Sequence, residues 1–128
     1  MLETDVVQLK TELEELVGRG YSVDAVDAEG WAIVIFHDYP IVPGFTKSKT
    51  ELLLKIPLSY PNGQPDMFWT DKDLVLVNGA VPKSAELTET IQGKEWRRFS
   101  WHPQKWNPGV DDLRTYLEFV NNRLAKGV

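Results

Sequence analysis

A chain of 128 residues, 42% apolar and 26% charged, carries enough apolar material for one ordinary core, and it reads as a single domain spanning 1–128. Its formal net charge of −5, with no lysine- or arginine-rich block, argues against nucleic acid as a partner. No apolar run approaches the ~20 residues of a membrane span, so no membrane association is expected. Cysteine is absent, which excludes disulfides, thiolate metal sites and thioester chemistry on this chain. His37 and His102 lie far apart in sequence, so neither a metal site nor any other cofactor is expected. The acidic, periodic N-terminus has no signal-peptide pattern, and a cytoplasmic location follows as the expectation.

Leu2, Val6, Leu9, Leu13, Leu16 and Val17 recur at helical spacing, with Gly18 and Gly20 as the stop. They predict an amphipathic helix of about four turns laid on a sheet. Tyr21 to Asp27 alternates and predicts a strand with one wet face, followed by turn chemistry at Ala28-Glu29-Gly30. Trp31 to Phe36 is a nearly continuous apolar run, expected to be a strand central in the sheet. After an open connection, Thr50 to Ile56 predicts a third strand and Met67 to Trp69 a short fourth. Pro57, Pro61 and Pro65 lie between these two, and proline lacks a backbone donor and fixes its own φ, so the chain must make a rigid elbow there.

From Thr70 to Gln92 the pattern reads as a long irregular connection, despite the apolar Leu74 to Val77. Gly93 to Gly109 is dense in Trp96, Phe99, Trp101 and Trp106. A closing helix follows, with Leu113, Tyr116, Leu117, Val120 and Leu124 as its buried stripe. Asp111 and Asp112 sit at its positive end as caps, and His37 is expected to cap a strand end. The expected architecture is thus α+β: an N-terminal helix, an antiparallel four-stranded meander, a long irregular segment and a C-terminal helix.

This order resembles the ubiquitin-conjugating-enzyme fold. The likeness is carried by Leu52-Leu53-Leu54-Lys55-Ile56, then Tyr60-Pro61, Pro65, Met67 and Trp69, and by Gly93 and Trp106-Asn107-Pro108 opening a helix. With Pro65-Asp66-Met67-Phe68-Trp69, the stretch Trp96 to His102 and Gly109-Val110-Asp111-Asp112-Leu113, the chain is similar to the prokaryotic ubiquitin-conjugating-enzyme-like family E. The resemblance implies a ubiquitin-like protein and a ubiquitin-activating-type enzyme as partners, in a bacterial modification pathway. It also implies a catalytic cysteine, and aligning Gly93 puts Trp96 about where that cysteine belongs. The asparagine of the family's upstream His-Pro-Asn has no counterpart either.

A hydroxyl is the remaining nucleophile. Ser100 lies two residues before His102, and in an extended segment such residues face the same way. His102 would take the Ser100 proton as Ser100 attacks an acyl carbonyl, giving an oxyester where the family makes a thioester. Arg97 or Arg98 would steady the oxyanion or hold an acidic tail. Trp96 and Trp101, in an arginine-bearing segment, are the candidates for partner contact together with Arg97 and Arg98. Two other readings stand beside this carrier: a catalytically inactive module that binds a ubiquitin-like protein or its activating enzyme, and an unrelated peptide-binding α+β domain.

Overall fold

The first apolar stripe becomes helix α1 (Val7–Gly18), which buries Leu9, Leu13 and Leu16. The computed structural model describes residues 1–127. Leu2 does not join that helix. With Glu3 it forms strand β1 (Leu2–Glu3), parallel to β2 (Ser22–Ala28) with Leu2 opposite Ala25. The amide of Asp5 donates to the Asp27 carboxylate and that of Val6 to Thr4 Oγ1, turning the chain before the helix starts.

Three further strands follow in sheet order: β3 (Trp31–Pro40), β4 (Lys49–Pro57) and β5 (Phe68–Asp71), each antiparallel to its predecessor. The expectation of four strands falls short, because the sheet has seven in the order β1-β2-β3-β4-β5-β7-β6. The two added at the far edge form a hairpin, β6 (Leu87–Ile91) and β7 (Lys94–Phe99), from residues read partly as irregular connection. Its turn is Gln92-Gly93, both with positive φ (53° and 77°), as a two-residue hairpin turn requires. The remaining connection zips onto the chain at a β-bridge between Phe45 and Leu76.

Helix α2 (Leu113–Lys126) buries Leu113, Tyr116, Leu117, Val120 and Leu124, the stripe its spacing predicts. Asp112 caps it in a reciprocal box with Thr115. Both helices contribute to the same core as Val23, Val34, Phe36, Leu52, Leu54, Phe68 and Phe99, so they cover one sheet face. No helix among the described residues is long and apolar enough to cross a membrane.

The register sends Ile33, Leu53, Trp69, Trp96 and Ile91 to the opposite face, where no helix lies. They form a second, smaller core. A pocket of about 240 Å³ is walled by Trp31 and Ile33 on one side and Glu89 and Ile91 on the other. In a flat sheet β3 and β6 would stand roughly 19 Å apart, four strand spacings. The sheet therefore coils, and the β6–β7 hairpin closes over its own second face.

The proline elbow becomes a fastening point. Tyr60 is buried and donates its hydroxyl to Glu12 of α1 at 2.6 Å, and the same carboxylate oxygen accepts the Leu113 amide at 2.9 Å. The Trp106 indole donates to the Pro61 carbonyl at 2.7 Å. Gly63 closes the elbow, since a Cβ there would come within 2.3 Å of Ser59 Oγ and 2.9 Å of the Pro57 ring.

Candidate functional site

The residues singled out in sequence fall on β7 and the segment leading from it to α2. Trp96 is a correction: it is not a surface residue. Its side chain is 2% exposed, its indole N–H donates to the Ile91 carbonyl at 3.1 Å, and Lys94 Nζ lies 4.3 Å from the ring centre. The alternation along β7 dictates this, because Trp96 and Arg98 face the second core while Phe99 faces the helices.

The two arginines are held down rather than presented. Arg97 donates from Nε to the Lys72 carbonyl at 3.1 Å and from a terminal nitrogen to the Ala85 carbonyl at 2.7 Å. It thereby pins the long connection to β7. Arg98 donates from Nε to Ser100 Oγ at 3.2 Å and lies 3.8 Å from Glu89. Trp101 is half-buried, with the Arg123 guanidinium 4.5 Å and Lys83 Nζ 5.8 Å from its ring centre.

Ser100 and His102 are both accessible, but each is engaged elsewhere. Ser100 Oγ accepts from Arg98, and its amide donates to the Ser84 carbonyl at 3.0 Å. The His102 ring is 61% exposed and meets the Asp66 carboxylate through Nδ1, and among the described residues no hydrogen bond engages Nε2. Among the described residues no hydrogen bond joins Ser100 to His102.

Asp66 is the site residue the sequence did not disclose. It lies 36 positions from His102, and only the fold brings them together. The Met67 amide donates to the Trp101 carbonyl at 3.1 Å, and the buried Tyr116 hydroxyl donates to the Met67 carbonyl at 2.5 Å. These bonds lock the 66–67 and 101–102 stretches side by side over α2, with Met67 at φ 60°, the left-handed region that costs an ordinary side chain of order 1–3 kcal/mol. Burial pushes the Tyr116 phenol well above its ordinary pKa, so it stays a donor.

The segment 103–106 stands off α2 and leaves a cleft of about 270 Å³, lined among others by Lys105, Trp106, Tyr116, Phe119 and Arg123. The Arg123 guanidinium also lies 5.4 Å from the Phe119 ring centre.

A two-helix, seven-stranded α+β architecture is consistent with a family related to ubiquitin conjugation. The family model of prokaryotic E2 family E matches residues 9–127, and the chain belongs to that family. No curated protein and no solved structure matches the chain. Membership places the chain in ubiquitin-conjugation-related biology in general, with ubiquitin-like proteins or activating enzymes as the class of partner.

Proposed function

We propose that this chain is a non-covalent binding component of a bacterial ubiquitin-like modification pathway, holding the ubiquitin-like protein or its activating enzyme without taking the acyl group itself. The observation that carries the reading is Trp96. At the position where alignment on Gly93 puts the family's cysteine stands a side chain 2% exposed, its N–H committed to the Ile91 carbonyl, in a chain without cysteine. An indole so placed offers no nucleophile. The decisive test incubates the chain with the cognate activating enzyme, ATP and ubiquitin-like protein. The expected result is co-elution in size-exclusion chromatography with no covalent adduct on denaturing gels.

A second reading keeps Ser100 as the acceptor of an oxyester. It is favoured by the Asp66–His102 pair, because a carboxylate on Nδ1 fixes the ring with Nε2 free to act as base. Ser100 Oγ, released from Arg98, would attack the acyl carbonyl of a thioester on the activating enzyme. Its proton would pass to His102 Nε2 and on to the departing thiolate. An adduct that survives thiol reductant, breaks in hydroxylamine and is missing in Ser100→Ala establishes this reading and removes the first. Failure of both adduct and co-elution removes both readings.

A further inference from the structure

We propose that the cleft between residues 103–106 and α2 binds an acidic peptide segment of a partner protein, with Arg123 as its anchor. The charge layout is the first argument. Four other lysines of this acidic chain are neutralised within it: Lys47 by Asp71 and Asp73, Lys55 by Glu89, Lys72 by Glu95 and Lys94 by Asp71. Lys83, Lys105 and Arg123 have no carboxylate within salt-bridge distance among the described residues, and unlike the other unpaired cations, such as Lys10, Lys49 and Arg114, they lie close together. All three gather at one place, around Trp101 and the cleft.

The second argument is the mounting of Arg123. Its guanidinium lies 4.5 Å from the Trp101 ring centre and 5.4 Å from that of Phe119. Aromatic contact holds the plane of the cation while its N–H edge stays available, and that edge matches a carboxylate with two parallel hydrogen bonds. Trp106, Tyr116 and Phe119 supply apolar walls for the residues flanking the acid. The one acidic side chain lining the cleft, Asp111, is already accepting the Asn107 amide at 2.7 Å.

A peptide fits this arrangement better than a polynucleotide does. A continuous line of phosphates would meet a molecule of net charge −5, which three cations do not offset. Spread around a tryptophan and along a cleft, the cations suit acidic side chains rather than a single terminal carboxylate.

The inference rests on the binding reading, whose contact chemistry it names. Calorimetric titration of the full chain with a short synthetic peptide of alternating Glu and Leu tests it. Saturable binding is expected, weakened by added salt and absent for the matching Lys and Leu peptide. Arg123→Ala, with an unchanged circular dichroism spectrum, should lose about tenfold or more in affinity. Arg123→Lys should lie between, since it keeps the charge without the planar fork. Amidating the peptide's C-terminus should change nothing. Equal affinity in wild type and Arg123→Ala, no binding at all, loss on amidation, or binding of single-stranded DNA in place of the peptide would each overturn the proposal. If the peptide fails while the ubiquitin-like protein or activating enzyme still co-elutes, only the cleft assignment falls. If the peptide binds and neither protein does, the cleft stands and the pathway reading falls.

Discussion

The two faces of the sheet solve the same problem by different means. On one face, α1 and α2 bring leucines, valines and Tyr116 down onto Val34, Phe36, Leu52 and Leu54, so apolar surface is covered by more apolar surface. On the other, Ile33, Leu53, Trp69, Trp96 and Ile91 are buried with no layer above them. Their cover is the coil of the sheet and the stems of its own charged residues. Lys55 Nζ lies 5.3 Å from the Trp69 ring centre, and Glu89 accepts the Trp69 indole N–H at 3.0 Å while reaching toward Lys55 and Arg98. A face roofed in this way exposes charge and hides tryptophan, which is why Trp96 is structural.

The sharpest way to break this comparison is to treat both cores alike. Leu54→Ala, fully buried under the helices, should cost about 3 kcal/mol in urea titration. If the second face is a true core, Trp96→Cys should cost a similar amount, about 3 kcal/mol, despite lying under no helix. That variant also gives the chain its one thiol. Its thiol should stay slow toward an aromatic disulfide reagent until the protein unfolds. A loss under about 1 kcal/mol, or a fast-reacting thiol, would show that the second face is open surface.

The seam between helices and sheet comes next in size. Glu12 accepts both the Tyr60 hydroxyl and the Leu113 amide, so Glu12→Ala orphans two donors beneath the elbow and should cost about 2 kcal/mol. The Tyr60 phenol, pushed up first by burial and then by Glu12, remains a donor throughout the neutral range. Tyr60→Phe in the Glu12→Ala background should add less than it does alone, because the pair shares one bond.

These contrasts also explain what could be read in advance. The helical face was legible because its signals are local and periodic: the α2 stripe, the strand Trp31 to Phe36 and the proline elbow each sit within a few residues. Leu2 continued the helical spacing but went to a strand, since pairing with Ala25 is a long-range term that no window contains. The β6–β7 hairpin escaped because its exposed edge is polar, in Thr88, Glu89 and Thr90, and Gln92-Gly93 is a quiet turn signal beside Asn-Gly. Within the candidate site, Arg97, Arg98, Ser100, Trp101 and His102 were identifiable as a cluster, but their partners were not. Asp66 and Arg123 come from the elbow and from α2, and both are unremarkable in their own stretches of sequence.

A smaller effect separates charged cover from bystander charge. Glu89→Ala removes the acceptor of the Trp69 indole and the shared partner of Lys55 and Arg98, and should cost about 1 kcal/mol. Glu118→Ala, on the exposed side of α2, serves as the control and should change stability by less than about 0.5 kcal/mol. Equal effects would mean that the charged residues over the second face are incidental to it.

The gentlest probe is pH, because the rim of the second face contains a titrating residue. His37 on β3 lies between Asp24 on β2, 2.7 Å from Nε2, and Glu51 on β4, 2.5 Å from Nδ1. The Asp24 hydrogen bond raises its pKa above the ordinary 6.5; partial burial works against this, and Glu51 adds to the rise. Asp24 itself is held below its ordinary 3.8, first by the N-terminal ammonium of Met1 and then by His37. A histidine with a raised folded pKa stabilises the fold fully below pH 6.5, and that contribution fades as pH climbs through the folded value. Asp24 gives the opposite sign at the acid end, where its contribution is lost as pH falls below 3.8. Thermal melts of the wild type should therefore decline from pH 6 to pH 9 more steeply than those of His37→Gln, whose uncharged amide cannot titrate. Asp24 and Glu51 are present in both proteins, so the difference between the two slopes isolates the histidine. Parallel slopes would mean that the three-strand clasp adds nothing to the rim and that coiling alone keeps the second face closed.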